Sequence, residues 1–332
     1  MTPTRSARPR RDLALAGGLL AGVALDALLG DPRRGHPVAA FGRAASWLEQ
    51  RAYADDRARG ALYTAACVLA AAAPAAAAHR LTRRRPLAYG TAVAATVWAV
   101  TGARSLRFYS SLIRSALDQG DLPAARSLLP GLCSRDPARL DAREIARAVV
   151  ESVAENTSDA AVAPLLWGAV AGLPGLAIYR AVNTLDAMVG YRSPRYTRFG
   201  WASARLDDVL NWAPARLTAV LAAGCAPLAS GRPGPAWRAA RRDGGHHPSP
   251  NAGRPEAAFA GALGLQLGGV SRYGGVTEHR PELGDGRPPE PADIGRAARL
   301  SWAVTAAAAV LAAVAAVAVA PKALGIPRRG RR

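Results

Sequence analysis

Glu151, Glu155 and Asp159 recur every four residues in VESVAENTSDAAVAPL, immediately ahead of an apolar run. On a helix such positions stack on one face, so the three carboxylates form a stripe that repels itself by about 0.2–0.5 kcal/mol per pair. A cation beside them relieves that repulsion, whether a metal ion, an ammonium group or arginines. For the first acid the plain structural account is an i,i+4 pair with Arg147. Two further acid-and-amide sets share helical spacing: Asn183 with Asp186 in RAVNTLDAMVGY, and Asp207 with Asn211 in ARLDDVLN, which also holds Arg205 and Asp208. Oxygen ligands of this kind suit Mg²⁺, which takes one or two carboxylates together with substrate phosphates. Buried arginine–carboxylate pairs between helices are the structural alternative.

Three other motifs carry candidates. GDPRRGHPV closes the first apolar run and offers Asp31 and His36 at its edge, against the alternative of a helix-ending turn with solvated side chains. In SRDPARLDARE, Arg135 precedes a helix that Asp141 and Glu144 would open as a capping box. In HHPSPNAGRPE, the turn containing Ser249 and Asn251 either presents free backbone N–H groups to an anion or simply caps the next helix. His246 and His247 are adjacent and lack helical ligand spacing, so no metal site is assigned to them.

The elements that must position these residues are helical and apolar. The chain has 332 residues, half of them hydrophobic, and a net charge of +19 carried almost wholly by arginine, Lys322 being the single lysine. Basic residues are scattered between apolar runs without zinc spacing or an aromatic RNA-binding motif, which argues against nucleic acid as a partner. Cys67, Cys133 and Cys225 lie far apart, so neither a disulfide framework nor a zinc site is expected.

Residues 301–320 run without a charge over the ~20 positions that a spanning helix needs, and a basic flank follows. Residues 60–78 and 86–102 read as a helical hairpin around an arginine-rich tip. Residues 13–30 form another run, with Asp26 inside it and no convincing signal-peptide cleavage site after it. Residues 160–182 and 212–230 contain prolines and arginines, tolerated at membrane depth where protein or a polar cavity lies alongside. A soluble all-α protein is the alternative. No alternating strand pattern is evident, and 231–299 reads as a long structured loop region. The expectation is an all-α, polytopic integral membrane protein with polar helical and loop insertions. It would form one domain over 1–332, with basic tails at 1–12 and 321–332, multi-pass in the cell membrane.

The segments LDALLGDPRRGHPV, SRDPARLD, ARAVVESVAENTSDAAVAPLLW, YRAVNTLDAMVGYRSPRYTRFGWASARLDDVLNWAPARLT and HPSPNAGRPEAAFAGALGLQLGG, in this order, resemble the CobD/CbiB family of cobalamin biosynthesis, the adenosylcobinamide-phosphate synthases. The resemblance runs from about Leu13 to the last apolar segment. It implies a membrane ligase of the corrin pathway that uses ATP and Mg²⁺. The substrates it implies are adenosylcobyric acid and aminopropanol or its phosphate, joined as an amide, and other corrin-pathway enzymes are possible partners. On that resemblance Glu151, Glu155, Asp186 and Asp208 are catalytic candidates and Asp159 and Asp207 metal ligands. Arg135, Asn156, Asn183, Arg205, Arg216, Ser249, Asn251, His36 and Asp31 would hold substrate and phosphates.

Two other classes fit the bare residues: a membrane transferase with Mg²⁺-diphosphate chemistry, and a transport or signalling protein with a charged pathway. ATP chemistry also poses a topological demand. All motif loops must reach one side of the membrane, and simple alternation through every apolar segment would divide them.

Overall fold

The computed structural model describes residues 7–31, 35–133, 135–191, 193–273 and 276–318. Arg33, Arg34, Ser134 and the basic ends of the chain at 1–6 and 319–332 lie outside the described residues. The helices are α1 (Ala7–Leu29), α2 (Pro37–Ala52), α3 (Arg57–Thr82), α4 (Pro86–Val100), α5 (Ala103–Asp118), α6 (Leu122–Leu128) and α7 (Ala142–Thr157). They continue with α8 (Ala163–Val189), α9 (Tyr196–Phe199), α10 (Trp201–Leu210), α11 (Trp212–Cys225), α12 (Pro233–Arg242), α13 (Gly253–Leu263) and α14 (Pro291–Ala318). Local chemistry starts them where it should. Asp56 and Asp121 accept amides of α3 and α6 at 2.9 and 3.0 Å, and prolines stand in the first turn of α2, α4, α6 and α12. The capping box at α7 is complete: Asp141 accepts the Glu144 amide at 2.8 Å and Glu144 accepts the Asp141 amide at 2.9 Å.

Among the described residues four helical stretches are long and apolar enough to cross a membrane: 10–29, 57–82, 142–189 and 291–318. The third is not a single rod. α7 passes through a π turn, Ser158–Val162, into α8, and the chain then reverses at Gly172 (φ 63°, ψ −142°). Beyond it the helix runs back antiparallel to its first half. The Gly175 backbone lies against the Trp167 carbonyl, Leu176 against Gly168, and the Tyr179 hydroxyl donates to the Asp159 carbonyl at 3.1 Å. From Asp159 to Gly172 the descent is about 20 Å at ~1.5 Å per residue, short of a hydrocarbon core ~30 Å thick. The element is a re-entrant hairpin. Its tip needs glycine twice over, because φ is positive there and a Cβ would stand 2.5 Å from the Tyr89 hydroxyl.

The other long helices give the bundle two distinct ends. α1 lies beside α4, with Gly18 and Gly22 against Val93 and Val97, where any Cβ would overlap the valines. Tyr89 and His79, at the α3–α4 turn, meet the hairpin tip. α1 starts at this tip end and finishes at the opposite one, where Asp26 accepts the Arg104 amide at 3.1 Å and Trp98 donates to the Gly30 carbonyl at 2.7 Å. α14 leaves that same end, its Ser301 hydroxyl 2.6 Å from Thr157, and finishes beside Ala16 and Leu20 near the start of α1. All the motifs singled out in the sequence therefore fall at one end, the acid end.

Several expectations are corrected. α3 and α4 follow each other but do not form a mutual hairpin: α4 packs mainly on α1, and α3 on α8. Residues 212–230, whose place the sequence left open between membrane depth and a buried position, hold the 14-residue α11, about 21 Å long, packed on α12 and α13. Region 231–299 is mostly regular, holding α12, α13, the start of α14 and a two-stranded antiparallel ribbon. That ribbon comprises β1 (Leu267–Tyr273) and β2 (Val276–Leu283) and pairs Val270 with His279, with a register shift between Leu267 and Gly269. The basic segment 1–12 is in part the first turn of α1.

Candidate functional site

α7 supplies one wall of the site through residues one helical turn apart. Arg147 donates to the carbonyls of Gly268 and Val270, so it holds the ribbon and does not pair with Glu151. Glu151 is buried and both its oxygens are taken: Oε2 by Arg135 Nη2 at 2.5 Å, Oε1 by the Gly268 amide at 2.8 Å. This carboxylate is therefore the strut that joins the SRDP loop, α7 and the ribbon. Glu155, one turn on, is solvent-accessible although protein surrounds it densely, as on the floor of a cleft. It feels the charges of Arg280, Glu151, Asp207 and Arg135.

The hairpin brings the second wall opposite. Asp159 lies within electrostatic reach of Asp207, Glu155, Asp186 and Arg180, and Asp186 within reach of Asp207, Asp208 and Glu155. Asp207 on α10 is the common neighbour. Its Oδ2 accepts Asn211 Nδ2 at 2.9 Å and Asn183 lies beside it, whereas its Oδ1 is buried with no hydrogen-bond partner among the described residues. Burial raises the Asp207 carboxyl to about 6, with Asp208 adding to the rise and the bonds from Asn211 and Asn183 opposing it. Asn211 also accepts the Tyr179 hydroxyl at 2.9 Å, which ties α10 to the returning arm of the hairpin.

The HPSPN turn closes the cleft. Ser249 Oγ accepts the amides of Asn251 and Ala252 at 3.3 and 3.2 Å, so those two donors are occupied by the turn itself. Asn251 Nδ2 donates to the Asp208 carbonyl at 2.7 Å, and its Oδ1 lies 3.5 Å from Arg216 Nη1. Arg216 stacks over Trp212 and bonds that residue's carbonyl at 2.8 Å. His247 Nδ1 accepts the Ser249 amide at 3.0 Å, and burial followed by the Arg280 charge lowers this imidazole to about 4. Its Nε2 lies 3.8 Å from Glu256, whose carboxyl is pushed well up by burial and then by Glu151 and Glu155.

The remaining candidates are placed differently. Asp31 neighbours Arg180 and Asp26. His36 caps α2, its Nδ1 accepting the Val38 amide at 3.2 Å, and Asn156 bonds back to Ser152 on its own helix. Arg205 is largely exposed, 3.4 Å from Asp208. Sequence reasoning missed His247, Glu256, Arg280 and Arg180. His247 and Glu256 stood inside a quoted motif, but no spacing rule pairs residues across a turn; Arg280 reaches the cleft only through a ribbon that the sequence did not announce. Among the described residues no three His, Cys, Asp or Glu side chains converge on one metal ion. Asp207 with Asp159 fits the sparser arrangement usual for Mg²⁺, in which phosphate oxygens and water complete the shell. The partnerless buried Oδ1 of Asp207 is the type of atom a cation would satisfy.

Fold and site together define an all-α polytopic membrane protein with one polar, acid-and-arginine cleft at one end of its bundle. The profile of the CobD/Cbib proteins matches residues 19–301, and the chain belongs to that family. It is 55% identical over 298 residues to the cobalamin biosynthesis protein CobD of Mycobacterium tuberculosis, covering 90% of this chain and 94% of the relative. Against proteins of the same name it is 46% identical in Geobacter metallireducens (89% and 95% covered) and 44% identical in Chromobacterium violaceum (86% and 94% covered). No solved structure matches the chain.

Proposed function

We propose that this protein is an enzyme of cobalamin biosynthesis in the cell membrane, joining aminopropanol or its phosphate to the propionate carboxyl of adenosylcobyric acid in an ATP-dependent amide ligation. The observation that carries this reading is the pairing of two unlike walls in one cleft. Glu155, Asp159, Asp186 and Asp207 supply its acids, and Arg280 and neutral His247 face them. An amide ligase needs both. Carboxylates hold a cationic ammonium and take its proton, and arginines with N–H donors hold phosphates and a carboxyl oxygen.

In this reading Glu155 is the proton acceptor, because Glu151 is committed to Arg135 and Gly268. Asp186 orients the ammonium, and Asp208 is steadied through its backbone by Asn251. Asp207 and Asp159 would hold Mg²⁺, which would neutralise nucleotide phosphate charge. For the bilayer, we place α1, α3 and α14 as crossings, the 15-residue α4 as the shorter return leg packed along α1, and the Gly172 hairpin as re-entrant, so that every motif faces one side. That arrangement meets the demand that ATP, corrinoid and amine reach one site. The deciding experiment incubates membranes bearing the protein with adenosylcobyric acid, aminopropanol phosphate and MgATP and seeks the amide by mass. Folded protein that yields no amide, with or without the phosphate on the amine, would overturn the reading.

A further inference from the structure

The Ser249 amide donates to His247 Nδ1, so in the neutral ring the hydrogen resides on Nε2. Nε2 lies 3.5 Å from Arg280 Nη1 and 3.8 Å from Glu256 Oε1, and the side chains of His247 and Glu256 are 6% and 3% exposed. Neither contact gives that hydrogen an acceptor: a guanidinium only donates, and 3.8 Å is beyond a hydrogen bond. The groups facing Glu256 are Glu151 and Glu155 from α7, Arg280 from β2, Arg135 from the SRDP loop and His247 from its own turn. Burial beside two like charges favours the neutral carboxyl, which adds an O–H donor to the imidazole N–H and the guanidinium N–H. Three donors thus lie together, Nε2 of His247 being 3.5 Å from Arg280 and 3.8 Å from Glu256. Two donor atoms 3.8 Å apart are spaced to share one oxygen at about 2.7–3.1 Å from each.

We propose that His247, Glu256 and Arg280 form a donor-lined seat for a substrate oxygen that gains negative charge, namely the carbonyl oxygen of the carboxyl group undergoing amide formation. This rests on the ligase reading above. A carboxylate oxygen first attacks the γ-phosphorus of ATP, the P–O bond to the β-phosphate breaks and ADP leaves with its electron pair. The amine nitrogen then attacks the acyl carbon, the C–N bond forms, and the carbonyl π pair moves onto the seated oxygen. Collapse of that intermediate restores C=O and breaks the C–O bond to phosphate, which leaves with its electron pair. Of the two protons lost between ammonium and amide, Glu155 takes the first before attack and the departing phosphate takes the second. A seat with one cation, Arg280, beside two neutral donors stabilises the charge as it develops without binding a resting carboxylate as tightly as two cations would.

The test compares side chains that keep a donor with those that lose one, in full-length protein whose thermal unfolding matches wild type. His247→Gln and Glu256→Gln keep an N–H donor and are expected within about tenfold of wild-type amide formation, whereas His247→Phe should lose ~10²–10³-fold. Wild-type activity should fall as alkaline pH ionises Glu256, and Glu256→Gln should lack that alkaline limb. The seat is overturned if folded Glu256→Gln is inactive or keeps the limb, or if His247→Phe matches wild type. An independent infrared measurement covers the case in which wild type forms no amide and the ligase reading itself has failed. A protonated-carboxyl band at neutral pH, absent from Glu256→Gln and perturbed by added inorganic phosphate, supports the seat. A wild type without that band, or with one that phosphate leaves unmoved, overturns it.

Discussion

Glu151→Gln is the substitution on which the division between strut and chemistry turns. The wild-type carboxylate is buried, meets Arg135 at 2.5 Å and receives the Gly268 amide at 2.8 Å. Glutamine can still accept the amide through its carbonyl oxygen. It cannot match the guanidinium's charge, so Arg135, itself 4% exposed, loses the carboxylate that meets it at 2.5 Å. Breaking one side of such a pair costs about 3–5 kcal/mol, whereas replacing both sides with apolar groups of similar volume is often neutral. Glu151→Gln should therefore unfold roughly 5–15 °C below wild type, and the double variant Arg135→Met with Glu151→Gln, which removes both charges and keeps the acceptor for the Gly268 amide, should recover most of that loss. Thermal unfolding of detergent-solubilised protein, arranged as a double-mutant cycle, reads the coupling directly. A loss below about 1 kcal/mol for the single variant, the value of an exposed pair, would refute the buried strut. So would a double variant no better than the single one.

Three other outcomes follow from the same geometry. Gly172→Ala forces a Cβ into a positive-φ position 2.5 Å from the Tyr89 hydroxyl and should destabilise by about 1–3 kcal/mol; unfolding equal to wild type would remove the hairpin's strained tip. Asp207 has a folded carboxyl near 6, raised by burial from an ordinary 3.8, so its ionised form is the one the fold disfavours. The penalty is absent below about pH 4, grows as pH rises between these values and is complete above about 6. Asp207→Asn should then unfold later than wild type at pH 7 and together with it at pH 4, and Mg²⁺ should stabilise wild type but not the variant. Equal unfolding of the two at pH 7 without Mg²⁺ would contradict the buried acid. Single cysteines replacing Arg84 and Glu278, introduced with the native cysteines replaced by alanine, should label from opposite sides of sealed vesicles; labelling from the same side would refute the two-ended arrangement.

Residue types were more legible in the sequence than their partners. The capping box, the helical class and the gathering of the acid motifs all rest on short-range spacing, and α7 realises that spacing. Arg147 and Glu151 show the limit. Their i,i+4 relation suggests a pair, but both reach for the backbone around Gly268, more than a hundred positions away, because that ribbon packs across α7. The ribbon itself lacks a strand signature. GGVSRYGGVTEHRPEL is glycine-rich and charged, and much of its backbone is satisfied by its own pairing and by α7.

The topological difficulty had the same origin. Residues 142–189 carry enough apolar length for crossings, and hydropathy has no term for a reversal. One glycine at φ 63° returns the chain to the end it came from, which sets Asp186 level with Glu155 and Tyr179 level with Asp159. The acid stripe is thereby completed by residues thirty positions further on, and its repulsion is met by Arg135, Arg180 and Arg280, each arriving from a different element. The stripe's spacing alone demanded a cation. The reversal at Gly172 explains why the cleft can hold both arginines and enough uncommitted carboxylate for a cationic substrate, since it doubles the acids without lengthening the helix that bears them.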